Sequence, residues 1–121
     1  MQSLVIDDSR AMRLILGRML RELGFDVTDA GNGREGLERV VDSSPDLVLV
    51  DWNMPEMSGI EFLEAVRQPP YASTARVLMV TTETEIPQVV RALGAGADEY
   101  LMKPFTKQAM LDKLMLLGFD L

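Results

Sequence analysis

Four short apolar runs in the chain are each followed directly by polar or charged residues. The runs and their followers are residues 4–6 before Asp7, Asp8 and Ser9, residues 47–50 before Asp51, residues 77–80 before Thr81 and Thr82, and residues 100–102 before Lys103. Continuous apolar runs of this length are typical of strands buried on both faces, as in parallel sheets. Because ligands of such sheets bind outside the carboxyl ends of the strands, the pattern predicts that these polar residues meet at one rim.

Helical periodicity fills the segments between these runs. The apolar positions extend from Met12 to Leu23, where Gly24 is the expected end of the helix, and recur at Leu37, Val40 and Val41, at Ile60, Leu63 and Val66, at Ile86, Val89, Val90 and Leu93, and at Met110, Leu111 and Leu114. This i, i+3, i+4 spacing predicts five amphipathic helices. The expected N-terminal caps are Asn32, Ser58 with Glu61 completing a capping box, and Thr106.

Residues 25–30 are partly polar and predict one further short strand, at an edge of the sheet. Strand and helix then alternate five times with short connections, which is typical of a doubly wound, parallel α/β sheet. A chain of 121 residues with 47% hydrophobic content has the size of one domain with one core. We therefore expect residues 1–121 to form a single domain.

The composition excludes several classes of function. A formal net charge of −7 argues against binding to DNA or RNA, since such binding depends on neutralising phosphates with Lys and Arg. The chain has no Cys and no His, which excludes disulfides, thiol catalysis, thiolate zinc sites and an imidazole base of its own. No signal peptide or membrane-inserting segment is evident, so we expect a soluble, cytoplasmic protein.

Each polar residue at the predicted rim also has a simpler interpretation. Asp8 or Ser9 alone is equally well explained as a helix N-cap, and Lys103 alone as a solvated lysine. Asp51 fits the capping explanation less well, because Pro55 interrupts the chain before a helix can begin. Their joint occurrence at strand ends favours a functional site.

Residues 31–36, Gly-Asn-Gly-Arg-Glu-Gly, match the G-x-G-x-x-G fingerprint of dinucleotide sites. The match follows the second predicted strand, whereas the fingerprint normally forms the turn after the first strand. That first turn carries Asp7 and Asp8, whose negative charge disfavours a pyrophosphate. We therefore interpret residues 31–36 as a glycine-rich turn in which Asn32 caps the second helix.

Taken jointly, the motifs resemble those of the CheY-like receiver domain of two-component response regulators. They are Asp7-Asp8-Ser9, residues 51–59 (Asp-Trp-Asn-Met-Pro-Glu-Met-Ser-Gly), Val80-Thr81-Thr82 and Lys103-Pro104-Phe105. The resemblance covers the chain from Leu4 to the last helix. It implies a flavodoxin-like, five-stranded parallel sheet in the order 2-1-3-4-5 with five helices.

The resemblance also implies a role for each motif residue. These roles are phosphoacceptor for Asp51, Mg²⁺ binding for Asp7, Asp8, Asp51 and the backbone carbonyl of Asn53, phosphoryl binding for Lys103 and Thr81, and switch aromatic for Tyr100. Asp8 and Asp51 would be direct ligands and Asp7 a ligand through water, and the peptide bond after Lys103 would be cis. Thr82 replaces the small Ala common in the family. Mg²⁺ suits this chemistry because it prefers oxygen ligands and commonly combines carboxylates with phosphate oxygens.

The implied function is a phosphorylation-activated signalling switch. A histidine kinase or histidine phosphotransfer protein would donate the phosphoryl group from its phosphohistidine, and a changed helix-four, strand-five, helix-five face would act on a downstream target protein, with chemotaxis as a candidate pathway. No side chain resembles a strong base, so we expect slow self-dephosphorylation tuned by Asn53 and Glu83 rather than enzymatic turnover. We expect a monomer before phosphorylation.

Three alternatives remain open from the sequence. An aspartyl-phosphate hydrolase also has an Asp at a strand end, but it requires a second acid two residues later, where this chain has Asn53. A flavin or nucleotide carrier can have the same fold, but the acidic rim disfavours it. A receiver without an output of its own could also serve as a phosphate sink.

Overall fold

Strands and helices alternate strictly along the chain in the computed structural model, which describes residues 1–82 and 86–121. The strands are β1 (Gln2–Ile6), β2 (Asp26–Ala30), β3 (Leu47–Asp51), β4 (Arg76–Thr82) and β5 (Glu99–Lys103). The helices are α1 (Arg10–Glu22), α2 (Gly33–Ser43), α3 (Gly59–Arg67), α4 (Ile86–Gly94) and α5 (Lys107–Leu116). This order confirms the predicted α/β organisation.

The five strands form one parallel sheet in the order β2-β1-β3-β4-β5, as predicted. The partly polar β2 lies at one edge. The strand order reverses between β1 and β3, and crevices at such switch points bind ligands in doubly wound sheets. In the register, Ile6 pairs with Val50, so that Asp7 and Asp51, each one residue later, lie side by side.

Each face of the sheet carries its own apolar core. On one face α2, α3 and α4 pack against the sheet, with Phe62 and Leu63 fully buried. On the other face α1 and α5 contribute Leu16, Met110 and Leu114. Because both faces are covered, the strand residues are apolar without alternation, which is why continuous apolar runs predicted them.

The helix starts follow the predicted caps. The side chains of Asn32, Ser58 and Thr106 each accept a hydrogen bond from the backbone N–H three residues later. Glu61 completes the capping box by accepting from the N–H of Ser58 at 3.1 Å. Ser9 caps α1 in the same way, through the N–H of Met12.

The glycine-rich segment 31–36 is explained by packing. A Cβ at Gly36 would lie 2.4 Å from Cδ1 of Ile6, and one at Gly33 would lie 2.8 Å from the side chain of Met57. These glycines therefore allow α2 to approach β1 and the loop after β3. The interpretation as a capped turn is confirmed by the bond from the N–H of Glu35 to Asn32.

The apolar residues of α4 do not all face the sheet. Val89 and Ala92 are buried, whereas Val90 is 67% exposed and Leu93 is 40% exposed. Periodicity grouped Val90 and Leu93 with the inward residues because a short helix offers too few turns to separate its faces. Among the described residues, no helix has the length and apolar character needed to cross a membrane.

Candidate functional site

The polar residues at the strand ends meet at one rim of the sheet. Asp7 and Asp8 follow β1, Asp51 ends β3, Thr81 lies near the end of β4 and Lys103 ends β5. Asp7, Asp8 and Asp51 each offer one carboxylate oxygen, and these three oxygens lie within 4.8 Å of one another. Asp7 and Asp51 are buried and Asp8 is exposed, so the cluster opens to solvent on the side of Asp8.

Asp7 is fixed by several hydrogen bonds. Its backbone N–H donates to the carbonyl of Ala30 at 3.1 Å, and its Oδ1 accepts from the N–H of Ser9 at 2.8 Å. Oδ2 is buried and has no hydrogen-bond partner among the described residues. A buried carboxylate oxygen without a partner is costly, so Oδ2 is available to a cation.

Lys103 provides the positive charge beside this cluster. Its Nζ lies 3.4 Å from Oδ1 of Asp51 and 3.9 Å from Oδ2 of Asp7. The Lys103 side chain is 25% exposed. The peptide bond between Lys103 and Pro104 is cis, as the resemblance implied. One ammonium group therefore faces three clustered carboxylates and cannot neutralise them.

Burial raises the pKa of Asp7 and of Asp51 above the ordinary value of 3.8. The negative charge of Asp7 raises the pKa of Asp51 further, and Lys103 opposes this. For Asp7, the hydrogen bond from Ser9 and the charge of Lys103 lower the pKa, while Asp8 raises it. The cluster is therefore an electrostatically unfavourable site that a divalent cation would relieve.

The donor set fits Mg²⁺. All three side chains offer carboxylate oxygens, which Mg²⁺ prefers, and the chain has no Cys or His to favour a softer metal. The partnerless Oδ2 of Asp7 supports the same conclusion. Asp7, which the resemblance implied would act through water, contributes one of the three clustered carboxylate oxygens.

The other predicted residues that the structure describes differ in burial. Asn53 is exposed in the loop after β3. Thr81 is buried, and its hydroxyl donates to the carbonyl of Thr82 at 3.3 Å. Tyr100 is half-buried, with Nζ of Lys113 lying 4.2 Å from its ring centroid. Glu83 lies outside the described residues.

Gly59 and Trp52 shape the loop beside Asp51. The N–H of Gly59 donates to the carbonyl of Trp52 at 3.0 Å, which brings the start of α3 against the end of β3. A Cβ at Gly59 would lie 2.5 Å from the backbone oxygen of Asp51. Trp52 is only 6% exposed and follows Asp51 directly, so we expect its fluorescence to respond to changes in this loop.

Arg13 is a site neighbour that the sequence analysis missed. Its Nη1 donates to the main-chain oxygen of Asp7 at 2.8 Å, and its Nε pairs with Asp29 at 2.9 Å. Arg13 lies on a helix otherwise analysed for its apolar face. The positions of Arg13, Asp7 and Asp29 in the sequence do not indicate the contact, because it joins three elements that only the fold brings together.

Comparison with known families identifies the chain. The sequence model of the "Response regulator receiver domain" matches residues 3–115. The chain belongs to the response regulator receiver family. It is 40% identical over 115 residues to the chemotaxis protein CheY of Pseudomonas aeruginosa, covering 94% of this chain and 93% of that protein. It is also 40% identical over 116 residues to CheY1 of Helicobacter pylori, with 94% of each chain covered.

Solved structures agree with this membership. The chemotaxis protein CheY4 of Vibrio cholerae, crystallised at low pH, superposes with a TM-score of 0.86 at 35% identity, covering 95% of this receiver and 96% of that chain. A response regulator from Chloroflexus aurantiacus superposes with a TM-score of 0.88 at 30% identity, covering 96% and 95%. The receiver is therefore a CheY-like domain of two-component signalling, and its fold is the flavodoxin-like receiver fold.

Proposed function

We propose that this receiver is a phosphorylation-activated switch that accepts a phosphoryl group on Asp51. The observation that carries the proposal is the cluster of Asp7, Asp8 and Asp51 with Lys103 at its side. Asp51 is the member of the cluster that lies closest to Lys103 and ends the central strand β3. It is the carboxylate best placed to gain a phosphoryl group between a cation site and an ammonium group.

Asp7, Asp8, Asp51 and the backbone carbonyl of Asn53 would hold Mg²⁺. When bound, Mg²⁺ supplies the positive charge that offsets the repulsion between an attacking carboxylate and a phosphoryl group. The burial of Asp7 and Asp51 excludes water from one side of this site, which strengthens each electrostatic interaction there. The exposure of Asp8 leaves the opposite side open to the donor.

In the transfer itself, an oxygen of Asp51 forms a bond to phosphorus as the P–N bond of a phosphohistidine breaks. The electron pair of that bond returns to the imidazole nitrogen of the donor. Phosphoryl transition states spread charge over the equatorial oxygens, so the protein acts mainly by positioning and charge stabilisation. Lys103 would move from the carboxylate of Asp51 to a phosphoryl oxygen, as its present distance of 3.4 Å allows.

The buried hydroxyl of Thr81 would respond to the phosphoryl group. Its bond to the carbonyl of Thr82 would be exchanged for one to a phosphoryl oxygen, which would draw the end of β4 inward. Tyr100 on the neighbouring strand would then occupy the space released. The phosphoryl group would favour one of two arrangements of the α4, β5 and α5 face, which is a population shift.

Hydrolysis of the acyl phosphate would limit the lifetime of the signal. Asn53 and Glu83, two residues after Asp51 and Thr81 respectively, would flank the route of water and tune the rate. No described residue at the rim offers a strong dedicated base. Dephosphorylation would therefore be slow, and the receiver would not be a turnover enzyme.

The partners follow from the same chemistry. With no His of its own, this receiver would take its phosphoryl group from a histidine kinase or a histidine phosphotransfer protein. Several relatives are named as chemotaxis proteins, and we extend that pathway to this receiver. Its output would be contact with a downstream target protein, and it would be monomeric before phosphorylation. Service as a phosphate sink is the alternative.

An experiment with a small phosphodonor separates the switch from a hydrolase. Acetyl phosphate with Mg²⁺ should add one phosphoryl group to the wild-type chain by mass spectrometry, mapped to Asp51, and beryllofluoride with Mg²⁺ should change the fluorescence of Trp52. Asp51→Asn should abolish both, while the exposed Asp42→Asn should retain both. Continuous turnover of external phosphate esters would indicate a hydrolase, and no added mass at Asp51 would refute the proposal.

A further inference from the structure

Arg13 on α1 joins the ends of two neighbouring strands beside the acidic cluster. Nη1 donates to the main-chain oxygen of Asp7 at 2.8 Å, and Nε pairs at 2.9 Å with Oδ2 of Asp29, the penultimate residue of β2. The Arg13 side chain is 19% exposed and that of Asp29 is 57% exposed. One planar guanidinium therefore connects α1, the residue after β1 and the end of β2.

The bond from Arg13 satisfies the main-chain carbonyl of Asp7. β1 ends at Ile6, so the carbonyl of Asp7 has left the strand ladder and needs another donor. Arg13 supplies it, while Ala30 accepts from the N–H of Asp7 and Ser9 donates to its Oδ1. Oδ2 is then the oxygen of Asp7 that has no hydrogen-bond partner among the described residues, and it lies 3.9 Å from Nζ of Lys103.

We propose that Arg13 is a positioning residue for the acidic pair. The carbonyl that it binds belongs to the peptide between Asp7 and Asp8, and a planar peptide transmits its orientation to both residues. By fixing this peptide, Arg13 sets where the two carboxylates lie relative to Asp51. The consequence for cation binding rests on the function proposed above, because it assumes that the cluster takes Mg²⁺.

If Arg13 acted only through its charge, its removal would change the affinity for Mg²⁺ in the opposite direction. A positive guanidinium near the carboxylates repels Mg²⁺, so removing its charge should tighten Mg²⁺ binding if charge were its contribution. If Arg13 acts by orientation, removing it should weaken Mg²⁺ binding, as loss of groups that orient metal ligands commonly does. Whether the affinity for Mg²⁺ falls or rises on removal of Arg13 therefore separates the two explanations.

Mg²⁺ titrations of four proteins measure the direction of this change in affinity. Trp52 fluorescence, repeated by calorimetry, is measured for the wild type, Arg13→Gln, Arg13→Lys and Arg10→Gln. Arg10, the exposed first residue of α1, controls for the loss of one positive charge at the same end of the helix. We expect Arg13→Gln to weaken Mg²⁺ binding by about tenfold. Arg13→Lys should also weaken it, because a lysine lacks the planar fork that reaches two acceptors, and Arg10→Gln should not.

Two results would overturn the inference. One is Mg²⁺ binding by Arg13→Gln that is as tight as, or tighter than, that of the wild type. The other is full retention of affinity in Arg13→Lys, which would show that the fork is not needed. Urea unfolding without metal checks that each variant is folded. If Arg13→Gln does not fold, Asp29→Asn carries the test, since it removes the charge that orients Arg13 at an exposed position.

A metal-free measurement makes the test independent of the proposed function. The N–H of Ser9, bonded to Oδ1 of Asp7, should exchange with solvent faster in Arg13→Gln and in Asp29→Asn. The double variant should exchange no faster than Arg13→Gln if both residues act through one contact, and additive effects would contradict this. A wild type that binds no Mg²⁺ would refute the proposed function while the Ser9 exchange still decides the role of Arg13.

Discussion

The ammonium nitrogen of Lys103 lies 3.4 Å from Oδ1 of Asp51. This ammonium group supplies part of the positive charge that the acidic cluster lacks, and in the proposed mechanism it would move to an oxygen of the phosphoryl group. The ammonium group should therefore weaken Mg²⁺ binding and favour phosphorylation. Mg²⁺ would compete with Lys103 for the same carboxylates, whereas a phosphoryl group on Asp51 would need the charge of Lys103.

Replacement of Lys103 should separate these two effects. In Lys103→Met, Mg²⁺ should bind more tightly, because a competing positive charge is gone, while phosphorylation by acetyl phosphate should slow by roughly 100-fold. Trp52 fluorescence and mass spectrometry measure the two quantities. Lys107→Met, at a 46% exposed position on α5, is the matched control and should change neither. Slower phosphorylation accompanied by weaker Mg²⁺ binding would contradict the assignment.

The stability of the metal-free protein should fall as the pH rises. Burial raises the pKa of Asp7 and Asp51 in the folded state, so the folded chain holds these protons more tightly than the unfolded chain. The contribution to stability is complete below the unfolded pKa, near 3.8, and is lost as the pH rises through the raised values. Asp51→Asn should therefore be more stable than the wild type at neutral pH, by a few degrees in Tm.

Urea unfolding of the wild type and Asp51→Asn, from about pH 4 to about pH 7, measures this difference. The difference should widen towards neutral pH. Asp42→Asn, at an exposed position on α2, controls for the loss of one negative charge and should show no comparable widening. An Asp51→Asn variant that is less stable than the wild type throughout this range would show that the Lys103 pair outweighs the cost of burial.

Mg²⁺ should restore the stability that the buried carboxylates remove. At a concentration 100 times its Kd, a ligand that binds only the folded state adds about 2.7 kcal/mol to the free energy of unfolding. This gain should shrink as the pH falls through the raised pKa values of Asp7 and Asp51, because bound protons exclude the metal. Thermal melts with and without Mg²⁺ measure it. An equal gain in Asp51→Asn would place the cation elsewhere.

The lifetime of the acyl phosphate should depend on Asn53 and Glu83. Both positions follow a rim residue by two, and both would flank the attacking water in the proposed mechanism. Single-turnover decay of the phosphorylated chain should therefore change in Asn53→Ala and in Glu83→Ala. Glu64→Ala, at an exposed position on α3, serves as the control. Unchanged decay in Glu83→Ala would remove that residue from the route of water.

The glycines of segment 31–36 should matter for packing. In Gly36→Ala the new methyl would meet Ile6 at 2.4 Å, so we expect a loss of about 1–3 kcal/mol in the free energy of unfolding. Gly94, at the end of α4, has nothing within 4 Å of a built Cβ. Gly94→Ala should leave stability unchanged or raise it by up to about 1 kcal/mol. Equal effects of the two changes in urea unfolding would refute the packing explanation.

Much of the fold follows from local patterns. The strands themselves were predictable because four apolar runs are continuous, and the partly polar residues 25–30 fit the edge position of β2. The caps at Asn32, Ser58 and Thr106 were equally predictable, since each bond joins residues three apart. The sheet order itself came from the resemblance to the receiver family.

The parts that the sequence did not reveal depend on contacts between distant elements. The sequence placed Asp7 and Asp8 together, but only the fold shows that Asp7 is buried while Asp8 is exposed. Arg13 escaped notice because its two acceptors, Asp7 and Asp29, belong to separate strands. On α4, the exposure of Val90 and Leu93 depends on how the helix is rotated against β4, which its periodicity alone does not fix.

The absence of space at Gly59 has a consequence for genetic screens of this protein. A methyl group there would collide with the main chain of Asp51, so alanine at position 59 must displace either the proposed phosphoacceptor or the start of α3. Loss-of-signalling collections should thus include substitutions at a residue that has no reactive group. Such alleles would have the same phenotype as substitutions of the acidic residues. Because glycine has no reactive side chain, the substitution alone would not show that position 59 supports the site.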